Sequence, residues 1–144
     1  MQRLGPKTEM GLKELFIANS EDHFLLKLSA GKLEQANKLE EAKIISEKSM
    51  TEFRHARGIF EKLVSYLGED KMLEWLKEIE KMKEENSRDI FVKYSTIYML
   101  SSFLSDKKVE PEVKVQLQLK SKECLPKILD SYEKILNDPN VKLD

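Results

Sequence analysis

Apolar residues along this chain recur at spacings of three and four, and no run alternates apolar and polar in the manner of a half-buried strand. The pattern predicts an all-α chain. A first helix is expected over 8–34, with Leu12, Phe16, His23, Leu26, Ala30 and Leu33 along one face. Asn19 or Ser20 offers an alternative start inside it, because either residue caps a helix and Glu21 and Asp22 would then sit in the first turn. The patch 31–38 reads as the turn. A second helix is expected over 39–67. Its stripe runs Leu39, Ala42, Ser46, Ser49, Phe53, then Ala56, Phe60, Leu63 and Leu67, and Gly68 stops it.

A shorter amphipathic piece follows over 69–87, with Met72, Trp75, Leu76, Ile79 and Met82 on one side. Ser87 suits the cap of a third helix over 88–105, whose inward residues are Ile90, Phe91, Tyr94, Ile97, Tyr98 and Leu104. Residues 106–111 form a turn, and Pro111 fits the first turn of a fourth helix over 111–137. That helix places Val113, Leu117, Cys124, Ile128 and Ile135 inward, and Pro126 within it is expected to kink it. Residues 1–7 form a lead-in broken at Gly5-Pro6, and the tail from Asp138 frays. The order is hairpin (8–67), crossover helix (69–87), hairpin (88–137), in one domain over 1–144. Short loops force antiparallel neighbours, and the long link lets the third helix cross. The expected architecture is a four-helix bundle with a long helical crossover between its second and third helices.

Candidate chemistry centres on Met50-Thr51-Glu52-Phe53-Arg54-His55-Ala56-Arg57. Glu52 and His55 are three apart on a helix and share a face. In an antiparallel hairpin turning near Asn37, the position level with Glu52 lies close to Asp22, beside Glu21. Two carboxylates and an imidazole form a mixed oxygen and nitrogen set that suits iron, manganese or zinc.

Glu52-Phe53-Arg54-His55, with an acid about thirty residues upstream, resembles the first half of the ferritin-like, rubrerythrin-like di-iron carboxylate proteins. The resemblance covers most of 12–137 in helix order, and its specific part is this one short motif. It implies a ferritin-like bundle in which Glu21 (or Asp22) and His55 are terminal metal ligands and Glu52 bridges. Glu123, in Glu123-Cys124-Leu125-Pro126, would be the second bridge. The chain departs from the pattern at Pro126, where the second Glu-x-x-His has its histidine, and at Lys93, level with Glu123, where the family has a carboxylate. The implied cofactor is one iron or manganese ion rather than a full di-metal centre, in a degenerate member of the family. Glu123 also shares a stripe with Gln116, Lys120, Lys127 and Asp130, which reads as a solvated face.

Composition narrows the classes. The 144 residues fit one domain, with 40% hydrophobic and 35% charged residues, and 25 basic against 26 acidic side chains give a formal charge of −1. Such a balance offers no basic patch for nucleic acid. No apolar run approaches the roughly 20 residues of a membrane span. The lone Cys124 rules out an internal disulfide framework and, with no apolar signal-peptide core near Met1, gives the expectation of a cytoplasmic protein. No Gly-rich phosphate loop, Cys-x-x-Cys or nucleophile elbow occurs. His23 reads as a packed, hydrogen-bonded histidine, and Cys124 as a small buried hydrophobe. Two further readings stand beside the metal one. One is a non-catalytic helical-bundle interaction or scaffold protein without metal, joined to a partner or to copies of itself. The other is a small-molecule pocket walled by Phe53, Phe60, Phe91, Tyr94 and Tyr98.

Overall fold

The structure, a computed structural model, describes residues 4–107 and 109–138. Over these residues the chain forms five α-helices: α1 Pro6–Gln35, α2 Leu39–Leu67, α3 Glu69–Glu80, α4 Ser87–Ser105 and α5 Pro111–Leu136. Pro6 and Pro111 open α1 and α5, where a missing N–H costs nothing and a fixed φ favours the helix. The α1–α2 turn is only Ala36–Lys38. Asn37 takes a left-handed φ of 61°, and the Lys38 amide closes on the Leu33 carbonyl at 2.9 Å. Gly68, at φ 85°, ends α2 and opens α3 directly, a conformation that favours glycine.

Three local expectations are corrected. α1 is continuous through Asn19-Ser20, because the Ser20 hydroxyl bonds back to the Phe16 carbonyl at 2.8 Å instead of capping a new start. The crossover is helical only to Glu80, and the polar 81–86 segment is not helical. The cap of α4 is Asn86 rather than Ser87, its Oδ1 accepting the Asp89 amide at 2.8 Å. Pro126 lies inside an unbroken α5. The expected tail beyond Asp138, and Lys108 of the α4–α5 turn, lie outside the described residues.

α1 packs along α2, and α4 along α5. The hairpins meet chiefly through α1 and α4, and α3 lies against α4. α2 and α5 do not touch. Eleven of the nineteen residues of α4 are buried, so α4 is the central helix, enclosed by the others. The single inward stripe expected for it is therefore too narrow: Met99, Leu100 and Phe103 are buried as well. Phe103 is the junction, its ring 6.1 Å from Phe16, 5.4 Å from Phe53 and 5.3 Å from Phe60. Two of these three contacts are edge-to-face, the arrangement aromatic quadrupoles favour. Trp75 closes the cluster from α3, 5.6 Å from Phe16. On α2 the inward reading fails for Leu39 and Ser46, which are exposed.

Candidate functional site

Glu52 and His55 are neighbours on α2, with His55 Nδ1 3.7 Å from Glu52 Oε1. The imidazole is 59% exposed and the carboxylate 24%. The other two candidate ligands are elsewhere. Glu21 is 13% exposed, and its Oε2 lies against the Arg88 guanidinium of α4 as an ion pair without an aligned hydrogen bond. A cation therefore already sits on this carboxylate. Asp22, the alternative, has its carboxyl pushed up by burial, with Arg88 pulling the other way. Glu123 is exposed on α5.

The register explains the separation. His23 of α1 meets Ser49 of α2, which places Ser20 level with Glu52, and Ser20 is buried against its own helix. Glu21 is one residue on, about 100° around the helix, and engages α4 instead. Among the described residues no three His, Cys, Asp or Glu side chains group to hold a metal ion. Glu21, Glu52, His55 and Glu123 thus do not form one donor set, and the arrangement does not fit the ion that the resemblance implies.

His23 instead fastens the first hairpin. Its Nδ1–H donates to the Ser49 carbonyl at 2.9 Å, and the Ser49 hydroxyl donates to the His23 carbonyl at 2.9 Å. The ring packs 5.0 Å from Phe24 and 5.3 Å from Phe53. Burial lowers its pKa from 6.5, the bond to Ser49 opposes this, and Lys27 adds to the lowering. The imidazole is held neutral as a structural tie.

Glu123 lies on a groove of about 680 Å³ between the 81–86 segment, α4 and α5. Lys93 forms its buried base. Its ammonium donates to the Met82 carbonyl at 3.0 Å and to Glu84 at 2.8 Å, and Tyr94 also donates to Glu84 at 3.1 Å. These contacts, Lys93 first, hold the Glu84 carboxyl below its ordinary range. Lys127 donates to the Tyr94 hydroxyl at 3.1 Å and lies over the ring, and Lys120 pairs with Glu80. The lysines expected near Glu123 are there, and two of them are occupied in ion pairs that tie the non-helical segment and α3 to the second hairpin. Cys124, beside them, has its thiol pushed up to about 12 by burial, so it carries no nucleophilic thiolate at neutral pH. Of the five aromatics expected to wall a small-molecule pocket, Phe60 and Phe91 are fully buried in the core and Phe53 packs against it, while Tyr94 lines the groove beside Glu123 and Tyr98 a separate one on α4 and α5.

The feature missed in the sequence is the outer face of α5. Val115, Leu119, Leu129 and Leu136 are 55, 53, 49 and 40% exposed, on the side of α5 away from its buried residues Leu117, Cys124, Ile128 and Ile135. With Lys122, Pro126 and Glu133 they complete a line in which every step is alternately four and three residues. That is the spacing of a coiled-coil seam. The signal was legible: α5 carries two apolar stripes, and only one can face α4.

No helix among the described residues is long and apolar enough to cross a membrane. Comparison of the chain with protein-family models, with curated proteins and with solved structures finds no match.

Proposed function

We propose that this protein is a non-catalytic helical interaction module whose working surface is the outer face of α5, and that this surface takes an apolar helix of another chain. The observation that carries the reading is the exposed 3–4 seam on α5. Isolated exposed hydrophobics are ordinary on a protein surface, but apolar residues aligned along one helix face, here interrupted by Lys122 and Glu133, mark a contact site. A seam of this spacing accepts knobs from a facing helix. The charged groups elsewhere support the same reading, since Glu21, Lys93 and Glu84 are engaged in internal ion pairs.

On the fold, the order hairpin, crossover, hairpin supports kinship with ferritin-like four-helix bundles as the finer reading. Its metal chemistry has less support, because Glu21 is paired with Arg88 and only Glu52 and His55 of the four candidates lie together.

The test is the double variant Leu119→Glu with Leu129→Glu. Both side chains are about half exposed, so at a concentration where both proteins are monomeric its melting temperature should stay near that of the parent. Native mass is then measured for the pure proteins and in extracts of the cells that make them. Association that disappears with the double substitution supports the module. Monomer mass in every sample, parent and variant, sinks it.

A further inference from the structure

The geometry points to a second copy of this chain as the occupant of the α5 seam, lying antiparallel across a two-fold axis. This rests on the interaction-module reading and names its partner. The placement of the two charges in the seam selects this pairing. Lys122 and Glu133 lie in the 3–4 line itself, among Val115, Leu119, Pro126, Leu129 and Leu136. In heptad terms Val115, Lys122, Leu129 and Leu136 occupy one core position, and Leu119, Pro126 and Glu133 the other.

Only certain registers of a self-pair are compatible with those charges. A parallel, in-register pair sets Lys122 on Lys122 and Glu133 on Glu133, which repel. An antiparallel pair in which Lys122 faces Glu133 of the second copy sets Leu119 against Leu136 and Pro126 against Leu129. Every contact occurs twice by symmetry, and each layer joins one core position to the other. One register therefore satisfies both charges and matches the large apolar side chains. Such an interface is isologous and closes at two copies. Charged residues at core positions set register and orientation at some expense of stability. In this register the paired stretch runs from Leu119 to Leu136, about 26 Å, and a pair of single helices of that length makes a modest interface. Glu133 is also held by Lys32 of α1 at 2.7 Å, with both side chains about half exposed. Lys32 reaches it from its own protomer, so Glu133 would stand between two ammonium groups in the pair.

The test is sedimentation equilibrium of the full chain from about 1 to 200 μM, with Lys122→Glu, Glu133→Lys, the double swap and Leu129→Glu. The expected result is a dimer for the parent, and association weakened about tenfold or more in each single charge reversal, since like charges then face each other. The double swap should return close to the parent, and Leu129→Glu should be monomeric. Melting curves confirm that each variant is folded. A monomeric parent at 200 μM overturns the proposal, and so does a double swap no better than the single reversals. A purified monomer that still runs in a larger, Leu129-dependent complex in cell extract overturns self-pairing while leaving the module reading standing.

Discussion

The first hairpin, α1–α2, and the second, α4–α5, are each two long helices joined by a short turn, yet they bury and expose different things. Between α1 and α2 the seam is closed by a polar tie, His23 to Ser49, and by aromatic rings that reach Phe103 of α4. The exposed apolar residues of α2, Leu39, Ile44 and Met50, are five and six apart and form no row. In the second hairpin, α4 is enclosed on several sides, while α5 rests on α4 and touches α1 only slightly. Its exposed apolar residues fall in line. A helix with one apolar face is complete once packed, whereas a helix with two apolar faces, only one of them packed on its neighbours, is not. The difference locates the interaction surface on the second hairpin without appeal to any cofactor.

The largest effect should come from the residue that joins the two hairpins. Phe103→Ala removes a buried ring packed against Phe16, Phe53 and Phe60, with the Arg57 guanidinium 5.0 Å from its centre. Loss of about 3–5 kcal/mol in urea unfolding is expected, from lost burial and the cavity left behind. The matched truncation on the outer face, Leu129→Ala, compared at a concentration low enough for both proteins to be monomeric, should change stability by no more than about 0.5 kcal/mol. Equal effects would mean that the α5 face is packed in the folded monomer, and the contrast between hairpins would collapse.

A middle-sized effect belongs to the tie within the first hairpin, and it depends on pH. The folded pKa of His23 lies below its ordinary 6.5, so between those values the unfolded chain binds more protons. The contribution of His23 is therefore whole above about pH 6.5 and is lost as pH falls below it. Urea midpoints at pH 7.5 and 5.5 should drop on acidification in the parent and drop less in His23→Gln. Comparing the two proteins cancels the carboxylates common to both. Ser49→Ala should cost about 1 kcal/mol at pH 7.5 by removing the hydroxyl's bond to the His23 carbonyl. Parallel acid profiles for parent and His23→Gln would show that the histidine is not held neutral.

Much of this was readable from the sequence. Gly68 and Pro111 punctuate the chain strongly enough that the long helices begin and end within two residues of expectation, although the turn expected over 31–38 is confined to 36–38. What one stripe per helix could not supply was the enclosure of α4, because a periodic pattern reports that a face is apolar and not how many neighbours cover the rest. Leu39 shows the converse, a correctly spaced apolar residue left in solvent at a hairpin tip. The candidate ligands are not gathered into one group, for a register reason. Counting outward from Asn37 put Glu21 and Asp22 opposite Glu52, and the His23–Ser49 contact sets the helices about two residues from that level. Nor could helix spacing foresee that Arg88, far away in sequence, would meet Glu21.

The smallest effect on stability is expected where the sequence drew most attention. Glu52 and His55 sit 3.7 Å apart with the imidazole largely in water, so the pair contributes little, and Glu52→Ala or His55→Ala should shift urea unfolding by at most about 0.5 kcal/mol. Neither substitution touches α5, so the native mass should stay that of the parent. Elemental analysis of protein purified without chelators decides whether the pair does more. Near-stoichiometric iron, manganese or zinc in the parent that vanishes in His55→Ala would place a working site on the first hairpin. It would also require the donors now held apart, Glu21 among them, to leave partners such as Arg88 and rearrange around the ion. If metal content is instead the same in parent and variant while the α5 substitutions change native mass, the two hairpins divide their roles as their surfaces suggest: the first holds the fold together, and the second meets another chain.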